Sequence, residues 1–345
     1  MLALQEILDG IRALSEDEKN IVKAQLISRI PEMGDDPDTY LANERFGKGF
    51  RCPHCGASHI RRFGHTSTGR QRYICAECSR TFGVRCDTVL AGTRKDLSVW
   101  QNYLECMFRG YSLRKSAEAC GISLSTAFHW RHKLLDALRQ VLSGTHLGGI
   151  VESDETYLKV SYKGNHSQSK TFAMPRESRH RGGQLHQSGI SKDLVCISCA
   201  ISRDGTSTAS ALTLGRASKK DLAVFFKDTL DSGSVLCTDY EPAFAAYARD
   251  EHIRHIQLET REVRDGYTIQ RINAYHSRLK EFLTRFRGVS TKYLDNYLAW
   301  NTARDMISLR GAEEEAPILQ EAMVARMTTL LRTMRDRPAT PAPVC

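Results

Sequence analysis

Four of the chain's eleven cysteines stand as two C-x2-C pairs, Cys52 with Cys55 and Cys75 with Cys78, separated by nineteen residues. Each pair can wrap two thiolates around one edge of a tetrahedron, and two such turns close it around one zinc ion. This spacing predicts a zinc ribbon: two knuckles joined by a hairpin, here "RRFGHTSTGRQRYIC", with Gly56 turning the chain after the first knuckle. Four protein ligands leave no open coordination position, so the expected Zn²⁺ is structural. Cys86, His54 and His65 are substitute ligands at poorer spacing. An odd number of cysteines behind a start, "MLALQEILDG", that lacks a signal-like apolar run argues for reduced or metal-bound thiols in a cytoplasmic protein. No stretch approaches the ~20 apolar residues of a membrane span.

Charge narrows the partner. The formal net charge is +9, and the excess is clustered. Between residues 51 and 95 nine Lys and Arg face two acids, Glu77 and Asp87; between 159 and 192 seven face Glu177 alone. A basic ribbon makes double-stranded DNA the natural partner, with Arg61, Arg62 and Arg72 as its contacts.

Residues 1–30 carry apolar residues at helical spacing, and Pro31 with "MGDDPDTY" breaks the pattern as a linker. Residues 97–142 read as three helices. From Gly149 the texture turns β-rich ("GIVESDETYLKV", "DLVCISCAIS", "TASALTL"), then alternates helix and strand, and from Ile272 it is helical again. That order implies a multi-domain α+β chain whose largest part is an α/β domain with a mixed sheet. The parts are an N-terminal helical segment at 1–45, the ribbon at 46–95, a helical domain at 96–145, the α/β domain at 146–310, and a C-terminal helix and tail at 311–345. Within the α/β domain, the Ser/Gly/His/Arg-rich insertion 161–192 reads as a long mobile loop, and "RPATPAPVC" as a disordered tail. Trp100, Trp130 and Trp300 recur among aliphatics and read as core.

The segment "YSLRKSAEACGISLSTAFHWRHKLLDAL" has the shape of a helix-turn-helix, with Gly121 in the turn. Its second helix presents Ser125 and Thr126 in the first turn for base edges, and His129, Arg131 and Lys133 for phosphates. A plain helical hairpin with a solvated basic face is the competing reading.

Asp154 in "IVESDETYLKV" and Asp239 in "SVLCTDYEPAF" sit in otherwise apolar strand runs, where a carboxylate is costly unless paired or metal-bound. Two on neighbouring strands make a divalent-metal site, and hard oxygen ligands suit Mg²⁺. Asn273 and Lys280 follow in "INAYHSRLKEF", seven residues apart and on one helical face. Glu155 on a strand faces away from Asp154, and Glu281 lies about 80° round the helix from Asn273. His276, three residues after Asn273, reaches the same face; its bland reading is a surface residue.

Together "CPHC…CAEC", "VESDETYLKVSYKG", "LCTDYEPAF" and "INAYHSRLKEFLTRFRGVSTKYLDNYLAW" resemble the bacterial insertion-sequence transposases of the ISXO2-like group, which join a zinc ribbon to an RNase H-like catalytic domain. The resemblance covers roughly residues 50–305. It implies a mixed five-stranded sheet, and Asp154 and Asp239 as the first and second metal-binding acids. Asn273 matches the third position, which is Glu in the wider superfamily, and Lys280 the basic residue used near DNA ends. It also implies Mg²⁺ or Mn²⁺, recognition of terminal inverted repeats, strand cleavage and transfer into target DNA, a homodimer or larger assembly on DNA, and a nucleoid-associated place in a bacterial cytoplasm. Two alternatives stay open: a DNA-binding regulator whose catalytic domain is a relic, and a nuclease of the same fold without strand transfer.

Overall fold

The computed structural model describes residues 15, 37–47, 49–165, 172–175, 189–310, 322, 325, 327 and 329–341. The helices expected over 1–30 and the middle of the 161–192 insertion lie outside these residues. The chain divides into two compact units, Met1–Cys86 and Asp87–Cys345.

In the first unit helix α1 (Pro37–Phe46) begins inside the run read as a linker. Pro37 opens it with a preset φ, and Asp38 favours its N-terminus. Three short strands, β1 (Ile60–His65), β2 (Gln71–Cys75) and β3 (Thr81–Gly83), form an antiparallel sheet in sequence order. Their core is small: Phe46, Phe50, Tyr73 and Phe82 pack around the buried sulfurs of Cys52 and Cys75. Arg85 is bonded to Asp38, tying the end of the ribbon to α1.

The second unit opens with α2 (Leu97–Phe108), α3 (Leu113–Ala119) and α4 (Leu124–Leu142). Ser112 and Ser123 cap α3 and α4 by accepting from the amides of Lys115 and Thr126. Trp100 stacks on Trp130 at 3.7 Å between ring centroids, so these tryptophans are core. The sheet that follows contains β4 (Ile150–Lys159), β5 (Leu194–Ser202), β6 (Ser207–Leu214), β7 (Val235–Thr238) and β8 (Arg254–Gln257), in the order β6-β5-β4-β7-β8. β4 pairs antiparallel with β5 and parallel with β7, giving the mixed five-stranded sheet. Helices α5 (Lys219–Phe226) and α6 (Pro242–Asp250) bury Phe225, Phe226, Phe244 and Tyr247 against one face. On the other face lie α7 (Gln270–Thr284) and α8 (Leu294–Arg310). Cover on both faces explains why β5 reads as continuous apolar sequence rather than alternating.

Helix α8 packs between β6 and α4. Being enclosed, it buries Asn296, Asn301, Thr302 and Asp305 along with Leu298 and Trp300, and shows no single apolar stripe. The three helices 97–142 therefore share one compact unit with the sheet. The tail also departs from expectation at its start. After helix α9 (Leu331–Arg335) with its buried Met334, Arg337 forms an ion pair with Asp136 of α4 at 2.5 Å. Residues 342–345 lie outside the described chain.

Candidate functional site: a carboxylate pair beside helix α7

The β4–β7 ladder pairs Ile150 with Val235, Val151 with Leu236 and Glu152 with Cys237. Continuing that offset by two residues sets Asp154 level with Asp239, on adjacent parallel strands spaced about 4.8 Å apart. Asp154 shares its face of β4 with Glu152 and Thr156, and that face receives α7; the opposite face, with Val151 and Tyr157, joins the apolar core. Asp239 follows the last residue of β7, and its carboxylate accepts the Glu241 amide at 3.0 Å, turning the chain into α6.

Helix α7 is brought to β4 by Glu152, a residue the sequence reading passed over. No side chain of its own caps the helix. Instead Glu152, 1% exposed, accepts from the amides of Arg271 at 2.7 Å and Ile272 at 3.2 Å. A buried carboxylate thus satisfies two of the orphan donors at a helix start and meets the positive end of its dipole. Arg203 lies 3.8 Å away and offsets the charge. Four and five residues past those amides, α7 delivers His276 and Ser277; the His276 ring stands with Nδ1 3.6 Å from Asp154 Oδ2. Lys280, exposed one turn later, is near enough for its charge to act on both Asp154 and His276.

Burial first, and the negative charge of Asp239 second, push the Asp154 carboxyl up to about 7. Burial, reinforced by the Lys280 ammonium, holds the His276 imidazole down at about 4, so it is neutral beside the carboxylate. Asn273 is one turn before His276, half-buried, with its Nδ2 donating to the Ile269 carbonyl at 2.9 Å. That bond fixes the amide so that Oδ1 is the atom available to an ion. Glu155 points to the opposite face as its strand position requires, where the Tyr157 hydroxyl donates to it. A partly buried carboxyl whose ionisation is opposed by a second one is a site that a hard divalent cation relieves, and the donor set fits Mg²⁺ or Mn²⁺.

In the first unit the ribbon sulfurs of Cys52, Cys55, Cys75 and Cys78 all lie within 4.8 Å of one another. Cys52 and Cys78 are 3.7 Å apart and Cys55 and Cys75 3.6 Å. The edge of a Zn–S tetrahedron with bonds of ~2.3 Å is ~3.8 Å, so the four thiols fit one structural zinc. Backbone amides of Cys78 and Glu77 lower the Cys75 thiol to about 7, toward the thiolate a metal takes. The two knuckles repeat one turn: Gly56 N donates to Cys52 O, and Ser79 N to Cys75 O. The residue after each second cysteine is left-handed, Gly56 at φ +78 and Ser79 at φ +56.

The residues expected to contact DNA divide. Arg61 and Arg62 are exposed on β1, and Arg72 on β2 lies across the Phe63 ring and donates to Thr81. Ser125 is exposed and Thr126 half-buried at the start of α4. Arg131 and Lys133 are corrected by the structure. Arg131 is fully buried, donating to Tyr111 O and lying over the Trp300 ring, and Lys133 is buried with its ammonium on Ala91 O. His129 is half-buried and bonded to the Thr329 carbonyl. The packing of α8, residues 329–337 and Ala91 on α4 buries its middle and leaves its first turn and, at the other end, Arg139 and Gln140 open. No helix among the described residues is long and apolar enough to cross a membrane.

Comparison with known proteins matches residues 146–301 to the ISXO2-like transposase domain and residues 36–81 to the transposase zinc-ribbon domain. An uncharacterized protein in the transposable element ISH50 of Halobacterium salinarum is 26% identical over 291 residues, covering 82% of this chain and 95% of its own length. Among solved structures, the Mos1 mariner paired-end complex with Mn covers 67% of this chain and 78% of its own, at 11% identity and a TM-score of 0.25. A pre-cleavage Mos1 transpososome covers 69% and 80%, at 8% identity and a TM-score of 0.20. Likeness at that level carries no argument about this chain. The two domain matches, in the order the cysteine and aspartate motifs require, cover more than half of the sequence, and the chain belongs to the insertion-sequence transposases that join a zinc ribbon to an ISXO2-like transposase domain.

Proposed function

We propose that the chain binds the terminal inverted repeats of its element and cuts and joins DNA strands by metal-dependent phosphoryl transfer at Asp154 and Asp239. The observation that carries this reading is the shared level of the two aspartates on adjacent parallel strands, with the Asp154 carboxyl held near neutrality by burial and by Asp239. Mg²⁺ or Mn²⁺ there supplies Lewis acidity and lowers the pKa of a bound water or hydroxyl. Asp154 and Asp239 offer hard oxygen donors, and Asn273 adds a neutral carbonyl oxygen, so the third position brings no charge and holds a second ion less tightly. Lys280 presents its ammonium to phosphate oxygens of the DNA end. Glu152 fixes the start of α7, the helix that carries Asn273 and sets His276 and Lys280 near Asp154. No side-chain nucleophile is needed, because water and then a DNA 3′-hydroxyl attack in line.

The ribbon arginines and the first turn of α4 make the specific DNA contacts, and two copies of the chain hold the two ends of an element. The deciding experiment incubates the full chain with terminal-repeat DNA, target plasmid and Mg²⁺, and resolves joined from merely cut products. Joined products that vanish in Asp154→Asn and Asp239→Asn support the reading. Binding without cutting would make the chain a regulator, and cutting without joining a nuclease.

A further inference from the structure

A cavity of about 1580 Å³ lies in the second unit, walled by the ends of β4 and α7, by Phe128 just past the first turn of α4, and by residues 335–339. Its wall carries eight Lys and Arg side chains and a single acid, Asp336. Some of the cations are engaged: Arg337 with Asp136, Lys292 with Asn165 Oδ1, Lys163 with Gly288 O. Arg114, Arg287 and Arg335 are exposed and carry no ion pair among the described residues. Unbalanced positive charge gathered in a concave wall is a binding site for a polyanion. The half-buried rings of Phe128 and Phe286 line the same wall and offer apolar faces.

The cavity is in line with the carboxylate pair. Strand β4 and helix α7 run side by side from Glu152 and Asp154 toward it. Past their ends Ser161 O accepts from Thr291 N at 2.9 Å, and Ser161 N donates to Thr291 Oγ1 at 2.8 Å. From Asp154 to Ser161 the extended chain advances about 23 Å. That is about seven nucleotides of stacked strand at 3.4 Å each. A DNA strand whose scissile phosphate sits at Asp154 reaches the cavity within this length.

We infer that the cavity holds a single, unpaired DNA strand on one side of the scissile phosphate, its phosphates on Arg287, Arg335 and Lys292 and its bases against Phe128 and Phe286. Cationic walls with aromatic faces are the usual means of holding single strands without sequence preference. This rests on the proposed function for the position of the scissile phosphate, though not for the binding itself.

The test uses the full chain with no added Mg²⁺ or Mn²⁺, and reads fluorescence anisotropy with two probes: an oligothymidylate of about a dozen nucleotides and a terminal-repeat duplex. The double variant Arg287→Glu/Arg335→Glu should bind the oligothymidylate about tenfold or more weakly, with a shallower salt dependence, and bind the duplex within about twofold of the parent. Equal weakening of both probes would make the wall a general duplex surface and overturn the inference, as would no weakening of either. Arg287→Lys/Arg335→Lys should restore single-strand binding, and unchanged melting of the Glu variant excludes misfolding. Asp154→Asn, run alongside, separates the two claims: a failed joining reaction with normal oligothymidylate binding touches only the proposed function.

Discussion

The ribbon draws four sulfurs within 4.8 Å of one another from a stretch running only from Cys52 to Cys78. The carboxylate pair draws Asp154 from β4 and Asp239 from the end of β7, with α7 beside them, and among the described residues no third His, Cys, Asp or Glu closes around the two aspartates as the four thiols close on one another. Local spacing builds the first site; the register of a sheet and one buried glutamate build the second. The ribbon has only a small core around its sulfurs, whereas the second unit has a large core of its own.

Removing zinc breaks the comparison open most strongly. With a core of a few aromatic rings around two cysteines, the ribbon lacks the apolar burial to stay folded alone, and structural zinc contributes on the order of 10 kcal/mol in domains of this kind. Cys75→Ser, or chelation of the parent protein, should abolish protection of residues 50–86 in hydrogen exchange and release about one zinc per chain. The melting of the Asp87–Cys345 unit should stay within a few degrees. Loss of both transitions together would show that the second unit leans on the first.

Asp154→Asn should have the opposite profile: activity is lost and stability is gained. Joined product should fall by about three orders of magnitude, about 4 kcal/mol in barrier. The sign of the pH effect follows from the raised carboxyl. Between about 4 and about 7 the folded chain keeps a proton at Asp154 that the unfolded chain has released, so metal-free stability falls as pH rises through that window and is level above it. The Asn variant should flatten this slope in thermal melts, and added Mn²⁺ at pH 8 should raise the melting temperature of the parent alone. A slope unchanged by the substitution would mean that the Asp154 carboxyl is not raised in the folded chain.

How much was legible in the sequence follows the same division. The cysteine spacing shows the ribbon because its geometry is local, and apolar runs around Asp154 and Asp239 show two strands. Glu152 was silent: an acid two residues before Asp154 carries no signal until α7 lands its amides on it. Arg131 and Lys133 misled for a related reason. Polar residues recur along α4 as on a solvated face, but that face is covered by α8 and residues 329–337, which lie far along the chain, and at Lys133 by Ala91. His132, Asp136, Asn296 and Arg337 form the buried polar contacts of that cover, and no periodicity in α4 alone announces them.

Arg131→Ala sharpens this point. The buried guanidinium bonds to Tyr111 O and lies over Trp300, so truncation should cost about 3 kcal/mol and lower the melting temperature of the second unit by roughly 10 °C. Anisotropy per folded molecule on terminal-repeat DNA should be unchanged. The exposed Arg61→Ala should do the reverse, leaving melting alone and weakening DNA binding severalfold. If Arg131→Ala weakens binding at full stability, the surface reading of α4 stands after all.

The smallest effect lies inside the ribbon, where the two knuckles differ in one residue. Both place a left-handed residue directly after their second cysteine, but the first uses Gly56 and the second Ser79. A side chain in that conformation crowds the following carbonyl, at about 1 kcal/mol, and glycine does not. Ser79→Gly should therefore stabilise the zinc-loaded ribbon by about 0.5–1 kcal/mol, read as slower zinc release to a chelator. The gain is smaller than the strain removed because glycine also widens the unfolded ensemble. Gly56→Ser should speed release by a comparable factor, since it imposes on the first knuckle the strain the second already carries. If neither substitution moves the release rate, the sulfur–zinc bonds alone set the knuckle geometry, and the left-handed turns are a consequence of metal binding.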